Sequence, residues 1–279
     1  MKNILVPTDF SGNAGHAIRF ALELARKQKA NVLLFHSFVI PVYATDVPVF
    51  PQADDELRKV SEEAMQKLVA KLKMENPGQE ISYYVSQGYA EEEIVEAAAK
   101  NKIDMIVMGT QGASGIREAL VGTITASVME QAQCPVMAVP EAASFTSFSK
   151  IVYATSYAEG DFQHVEEIID FARTFDAEVV LLHISSGSYD STYEFEAIER
   201  FKERIAEDSR YDKISFQLLE NKNVYEGLNS FIESSKADLV AMTMHKRSFI
   251  QKMFNRSITK KMAYHTHIPL IAFKTEEHA

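Results

Sequence analysis

The feature that most constrains the fold of this chain is an internal repeat. Four apolar segments of the first half recur in the same order in the second half. The matched pairs are NILVPT (3–8) with KIVYAT (150–155), VLLFHS (32–37) with VVLLHI (179–184), KIDMIVM (102–108) with KADLVAM (236–242), and CPVMAV (134–139) with IPLIAF (268–273). Such a repeat indicates duplicated structural units. The sequence therefore predicts two homologous domains, 1–143 and 144–279, with 141–149 as the linker.

Strand and helix signals alternate along the first half. Short apolar runs predict buried strands, and apolar residues at helical spacing predict amphipathic helices between them. The predicted strands are 3–8, 31–37, 81–87, 103–108 and 135–140, and the predicted helices are 12–29, 54–75, 90–101 and 121–132. The second half repeats this order. The alternation predicts an α/β fold in which each domain has a mostly parallel five-stranded sheet with helices on both faces.

The composition narrows the range of partners and locations. The chain has 39 acidic and 29 basic residues and a net charge of −10, which disfavours a nucleic-acid partner because phosphates require an excess of cations. No apolar run reaches the roughly 18 residues of a membrane span. The apolar start of the chain is interrupted too early for a signal peptide, so we expect a cytoplasmic protein. The single cysteine, Cys134, is expected to be buried and unreactive.

A glycine-rich segment between the fourth strand and the following helix is the most informative part of the sequence. Two residues separate Gly109 from Gly112, nine separate Gly112 from Gly122, and Thr123 follows. Glycines let the backbone approach a ligand, and free N–H groups at a helix start bind anions. Ligands of open α/β sheets also bind at the carboxyl ends of strands. The segment is therefore either an anion site or a turn without a ligand. It is not a P-loop, because no lysine follows Gly122.

Two motifs together carry a family resemblance. VPTDFS ends the first predicted strand, and G-x-x-G-(nine residues)-G-[ST] follows the fourth. This combination resembles the nucleotide-binding branch of the universal stress protein family, over nearly the whole chain as a tandem pair. The resemblance implies Rossmann-like domains of the adenine nucleotide alpha hydrolase type and a stress-response role. It also implies an ATP or AMP site in the first domain, where Mg²⁺ can accompany ATP.

The family pattern implies which residues bind the nucleotide. The first turn would line the adenine and ribose, the end of the second strand would contact adenine, and the glycine segment would hold the phosphates. The implied residues are Pro7, Thr8, Asp9, Ser37, Met108, Gly109, Gly112, Gly122, Thr123, Ile124 and Thr125. Asp9 would accept a hydrogen bond from a sugar hydroxyl, and its alternative role is a favourable charge at a helix start. Gln111 replaces a basic residue of many members, so backbone groups are the expected phosphate contacts.

The second half lacks this pattern. At the repeat positions, Pro7 and Asp9 become Ala154 and Ser156, and the motif glycines become Thr243, Lys246 and Arg256. Side chains there would occupy the space that phosphates need. We therefore expect one nucleotide per chain, held by the first domain.

A basic segment replaces the glycine loop of the second half. We consider two alternatives for it: a small-anion site formed by Lys246, Arg247, Arg256 and Ser257, or cations that face solvent or pair with the acidic first domain. His265 and His267 lack a third ligand at convincing spacing, so no metal site is expected. His36 and His183 end apolar strands and are predicted to be core-edge histidines.

The sequence favours an adenine-nucleotide-binding regulatory protein without catalytic residues. Two alternatives stay open at this point: a slow ATP hydrolase or phosphoryl-transfer enzyme, and an interaction module that binds no nucleotide. The resemblance also implies an intramolecular pseudo-dimer packed through the strands at 135–140 and 268–273, and it leaves a homodimer open.

Overall fold

The structure is a computed structural model that describes residues 1–40, 52–110, 122–157, 160–187, 191–244 and 268–274. The chain divides into two compact units, and the boundary between them lies between Glu141 and Ala142.

The first domain has the predicted α/β architecture. Its five strands are all parallel and lie in the order β3-β2-β1-β4-β5. The elements are β1 (Asn3–Pro7), α1 (Gly12–Gln28), β2 (Asn31–Phe38), α2 (Gln52–Glu75), β3 (Ile81–Gln87), α3 (Ala90–Lys100), β4 (Met105–Gly109), α4 (Thr123–Gln131) and β5 (Val136–Val139). Every predicted strand and helix of this domain is confirmed, and the ends differ by at most two residues.

The second domain repeats the same topology. Its parallel strands lie in the order β10-β9-β6-β7-β8. The elements are β6 (Lys150–Ala154), α5 (Asp161–Arg173), β7 (Glu178–Ser185), α6 (Ser191–Asp208), β8 (Ile214–Glu220), α7 (Val224–Ser235), β9 (Leu239–Met244) and β10 (Leu270–Lys274). The helix expected between β9 and β10 falls on residues outside those that the structure describes.

Burial explains why these segments form strands and helices. Ile4, Leu5 and Val6 in β1 are fully buried, as a parallel strand covered on both faces requires. Helix α1 buries one face and starts at Ser11, whose Oγ accepts a hydrogen bond from Ala14 N at 3.2 Å. Each large apolar side chain removed from water contributes about 1.5–3 kcal/mol to folding. The core therefore fixes where the strand ends lie, and the strand ends position the site.

The repeat extends to unusual backbone conformations. Among the described residues, six that are not glycine have positive φ, a conformation that costs energy for a side chain with a Cβ. They fall into three pairs at equivalent positions: Phe10 (φ 62°) with Tyr157 (56°), Lys29 (54°) with Asp176 (57°), and Lys102 (49°) with Lys236 (56°). The tight connections are thus a property of the fold and do not depend on glycine.

A carboxylate fixes the start of the first strand in each domain. Asp104 Oδ2 accepts hydrogen bonds from the backbone N–H groups of Lys2 at 2.6 Å and Asn3 at 2.8 Å. In the second domain, Asp238 Oδ2 accepts them from the N–H groups of Ser149 at 2.6 Å and Lys150 at 2.9 Å. The two domains therefore share side-chain contacts as well as topology.

The predicted linker is packed and belongs to the second domain. Phe148 is 3% exposed, and its ring centroid lies 5.0 Å from that of Phe175 and 5.6 Å from that of Phe171. Phe145 joins the same cluster at 5.2 Å from Phe148. Burial of these aromatic rings against the end of α5 holds the segment in place, so it is not a free connector.

None of the helices in the described part of the chain is both long enough and apolar enough to cross a membrane.

Candidate functional site

The turn between β1 and α1 brings three predicted residues to the carboxyl edge of the first sheet. Thr8 N donates to Phe35 O at 2.7 Å, which continues the pairing of β1 with β2 past Pro7. Thr8 Oγ1 accepts a hydrogen bond from Phe10 N at 3.1 Å, and Asp9 Oδ1 accepts one from Ser11 N at 3.0 Å. These hydrogen bonds fix the conformation of the turn. In this conformation Thr8 is buried and Asp9 is exposed.

His36 supports the same turn from β2. Its Nδ1 lies 2.8 Å from Thr8 O, and because a carbonyl oxygen only accepts, Nδ1 donates the hydrogen. The Phe10 ring lies 4.6 Å from the His36 ring, centroid to centroid. His36 therefore positions the turn while it is half-buried at the strand end, which agrees with the predicted core-edge location.

The second wall of the site is formed by the end of β4 and the start of α4. Thr125 Oγ1 donates a hydrogen bond to Gly109 O at 2.9 Å, so this hydroxyl joins helix to strand. Helix α4 begins at Thr123 after Gly122, which has an extended backbone and no side chain to cap the helix. No acidic residue lies in the first turn of α4. This helix start therefore keeps the partial positive charge that attracts anions.

The two walls enclose a cavity of about 320 Å³. This volume is within the range of small-molecule pockets, about 300–1,000 Å³. All ten of the described residues that the family resemblance implies line it: Pro7, Thr8, Asp9, Ser37, Met108, Gly109, Gly122, Thr123, Ile124 and Thr125. Gly112, the eleventh, lies outside the described residues.

Five further residues line the cavity that the sequence analysis did not assign to the site. They are Ala14, Phe35, His36, Ala90 and Ile94. Four of them are apolar, and the polar side chains come mainly from the turn and the start of α4. Ala90 and Ile94 are four residues apart on α3, so they lie on one face of the helix. This spacing is the sequence feature from which their shared location could have been predicted. The cavity therefore offers apolar surface for a flat ring and polar groups for a sugar or an anion.

Two side chains that can accept or donate a proton lie at the cavity. Among the described lining residues, Asp9 is the one carboxylate and His36 is the one imidazole. No group of three or more His, Cys, Asp and Glu residues suited to a metal ion occurs in the part of the chain that the structure describes.

The equivalent turn of the second domain repeats the hydrogen bonds of the first. Thr155 N donates to Leu182 O at 2.9 Å, and His183 Nδ1 donates to Thr155 O at 2.9 Å. Tyr157 N donates to Thr155 Oγ1 at 2.8 Å, as Phe10 does to Thr8. His183 is also half-buried at its strand end, as predicted. The backbone framework of a site is thus present in both domains.

Larger polar side chains replace small residues of this framework in the second domain. Asp161 stands at the repeat position of Ala14 and is fully buried. Thr243 stands at the position of Gly109, and its hydroxyl is hydrogen-bonded to that of Tyr153. Burial raises the pKa of Tyr153, and the negative charge of Asp161 raises it further. Polar side chains therefore lie here where the first domain has small residues.

Several predicted features fall outside the described residues. Lys246, Arg247, Arg256, Ser257, His265 and His267 are among them, so the anion site of the second domain stays a prediction. The prediction that Cys134 is buried is only partly right, because its side chain is half-buried. Burial still raises the pKa of its thiol to about 11. The thiol is therefore protonated and weakly nucleophilic at neutral pH.

Comparison with known proteins gives one family. The model of the Universal stress protein family matches residues 1–140 and 147–274. A universal stress protein of Methanocaldococcus jannaschii is 33% identical over 147 residues, which are 50% of this chain and 81% of the relative. A second from the same organism is 28% identical over 152 residues, 50% of this chain and 94% of the relative.

A solved structure matches the whole chain. It is a universal stress protein from Archaeoglobus fulgidus DSM 4304, with a TM-score of 0.72 and 16% identity over 99% of this chain and 97% of that chain. At this identity the match shows a shared fold.

Proposed function

The chain belongs to the universal stress protein family, and we propose that its first domain binds one adenine nucleotide, ATP or AMP, as part of a regulatory stress response.

The convergence of two separate motifs on one cavity supports this proposal. VPTDFS and the glycine segment lie about 100 positions apart in the sequence, yet every described residue that they and the family pattern assign lines the same 320 Å³ space. A set of residues chosen without regard to the fold would scatter over the domain. Their common location is the observation that carries the proposal.

The cavity divides into parts that match the parts of a nucleotide. Phe35, Ile94 and Met108 offer apolar surface to adenine, next to the backbone at Ser37. Asp9 is exposed at the edge and can accept a hydrogen bond from a ribose hydroxyl. The uncapped start of α4 at Gly122 and Thr123 would receive the phosphates.

The phosphate contacts in this proposal are made mainly by backbone groups. Thr125 donates its hydrogen to Gly109 O, so its hydroxyl stabilises the loop end. A Mg²⁺ ion would be held by the phosphates of ATP itself, since this cation keeps most of its ligands as water and phosphate oxygens.

The proposal assigns no nucleotide to the second domain. Asp161 and Thr243 place side chains where the first domain has Ala14 and Gly109. We therefore propose a stoichiometry of one nucleotide per chain.

Equilibrium titration of the full chain with ATP and with AMP tests the proposal, with inorganic pyrophosphate as the control for binding of phosphate alone. We expect one saturable site for each nucleotide and much weaker binding of pyrophosphate, which lacks the base and sugar. Two comparable sites would contradict the assignment of the second domain. Absence of binding, together with no nucleotide released from freshly purified and denatured protein, would overturn the proposed function.

A further inference from the structure

The second domain contains a fully buried carboxylate, Asp161, whose hydrogen bonds the proposed function leaves unexplained. Asp161 Oδ2 accepts hydrogen bonds from Thr155 Oγ1 at 2.9 Å, Ser156 N at 3.0 Å and Ser156 Oγ at 3.2 Å. Burying a carboxylate costs several kcal/mol unless hydrogen bonds replace its water. Three donors on one oxygen show that the first turn of the second domain is built to hold it.

The repeat relates this carboxylate to the cavity of the first domain. Asp161 is equivalent to Ala14, and Ala14 lines the cavity. Both residues lie in the first turn of the first helix of their domain, directly after the turn that the two domains share. The Asp161 carboxylate therefore extends from the position where the first domain keeps space.

The equivalent threonine hydroxyls, Thr8 and Thr155, differ in their acceptors, each within its own domain. Thr155 accepts from Tyr157 N and donates its own hydrogen to Asp161. Thr8 accepts from Phe10 N in the same way, and its hydroxyl hydrogen has no acceptor among the residues that the structure describes. Thr8 is 6% exposed and lines the cavity. Because this donor lines the cavity, it is placed to bind an acceptor oxygen of a ligand.

We propose that Asp161 is a built-in occupant of the second domain's site. Its carboxylate takes the hydrogen bonds that the same turn of the first domain gives to an oxygen of its ligand. The residue at this helix position decides whether a domain is open, as with Ala14, or closed, as with Asp161. The statement about the first domain rests on the proposed function, and the statement about the second does not.

A neighbouring substitution supports closure by side chains. Tyr153 and Thr243 replace Val6 and Gly109 and join their hydroxyls by a hydrogen bond. Burial raises the pKa of Tyr153 and the Asp161 charge raises it further, so this charge acts on the pair. Asp161 and Thr243 therefore both add side-chain atoms at positions whose counterparts, Ala14 and Gly109, line the cavity of the first domain.

Chemical rescue tests, without any nucleotide, whether the Asp161 carboxylate occupies the site of the second domain. Asp161→Ala removes the carboxylate, and formate is a free carboxylate of the missing size. We expect a lower melting temperature for Asp161→Ala than for the natural chain. Sodium formate should recover part of the loss relative to sodium chloride at equal ionic strength. The natural chain should respond alike to both salts. An unchanged melting temperature, or equal effects of the two salts on the variant, would overturn the proposal.

Asp161→Asn keeps the test decisive if Asp161→Ala does not fold. The amide fills the same space and retains an acceptor oxygen, so we expect partial stability and no difference between formate and chloride. A specific gain from formate in Asp161→Asn would contradict an occupied site.

Ala14→Asp tests whether this position closes the first domain. The new carboxylate would take the Thr8 hydrogen bond and occupy space that Ala14 leaves in the cavity, and we expect ATP affinity to fall at least a hundredfold. Gly12→Asp is the matched control, because it places the same charge in the first turn of α1 at a position with open space that does not line the cavity. Ala14→Asp with unchanged affinity would overturn the statement on the first domain. If the natural chain binds no nucleotide, the proposed function fails while the formate result still decides the role of Asp161.

Discussion

The two domains share the framework of a binding site and differ in the side chains that surround it. Thr8 and Thr155 accept equivalent hydrogen bonds from the N–H groups of Phe10 and Tyr157. His36 and His183 donate to equivalent carbonyl oxygens at 2.8 and 2.9 Å. Yet Ala14 leaves space in one domain where Asp161 fills it in the other. Under the proposed function, the difference teaches how a site is lost with its backbone geometry intact, through a few substitutions that add volume and charge.

The largest effect is expected from Gly122→Arg, which gives the first domain the residue found at the repeat position of the second. The side chain would enter the space in front of α4, and we expect ATP affinity to fall more than a hundredfold, about 2.7 kcal/mol or more. Titration calorimetry measures the loss. Gly160→Arg is the matched control, since Gly160 has ordinary φ and no atom within 4 Å of an added Cβ. Equal affinities for both variants would place the phosphates elsewhere.

Paired threonine substitutions should separate binding from stability. Thr155→Val removes a donor to the buried Asp161, so we expect a loss of about 2–3 kcal/mol in the free energy of unfolding. Thr8→Val removes a donor that has no protein acceptor in the described structure, and its main effect should be on ATP affinity, roughly tenfold. Urea unfolding and titration of both variants check this crossed pattern. If Thr8→Val mainly lowered stability and Thr155→Val mainly lowered ATP affinity, or if both had the same effects, the two threonines would not have the different roles proposed here.

The aspartates at the strand starts should behave alike. Asp104→Ala and Asp238→Ala each remove two hydrogen bonds to backbone N–H groups. We expect each to lower the free energy of unfolding by about 1–2 kcal/mol, because these bonds are partly exposed to solvent. Urea unfolding gives both values. A difference well above 1 kcal/mol would mean that the framework is not equally important in both domains.

The smallest effect concerns Cys134, which has Ile268 as its counterpart in the second domain. Burial raises its pKa to about 11, so the thiolate is scarce at pH 8. As pH rises, the Cys134 thiol ionises in the unfolded chain before it ionises in the folded chain. The free energy of unfolding therefore decreases between the ordinary cysteine pKa and about 11. We expect the native thiol to react with a disulfide reagent at least tenfold more slowly than the urea-unfolded chain at pH 8. Equal rates would contradict this burial.

Regular features of the chain could be predicted from the sequence, and close packing could not. Apolar runs located β1 to β5 because burial on both faces demands them, and the glycine spacing located one wall of the site. The role of Asp161 was missed because a single acidic residue near a helix start is normally a solvated charge. Only the structure shows three donors around it. His36 was predicted at the core edge, but its contact with the cavity depends on how neighbouring strands pair.

The packing of Phe145 and Phe148 has a consequence for anyone who separates the domains. A truncated second domain that starts at Lys150 would lack Phe145 and Phe148 and would expose Phe171 and Phe175 to solvent. An exposed apolar patch of this kind promotes aggregation. A cut before Ala142 would keep this cluster with the domain that buries it. The natural place to divide the gene is therefore upstream of the segment that looks like a spacer.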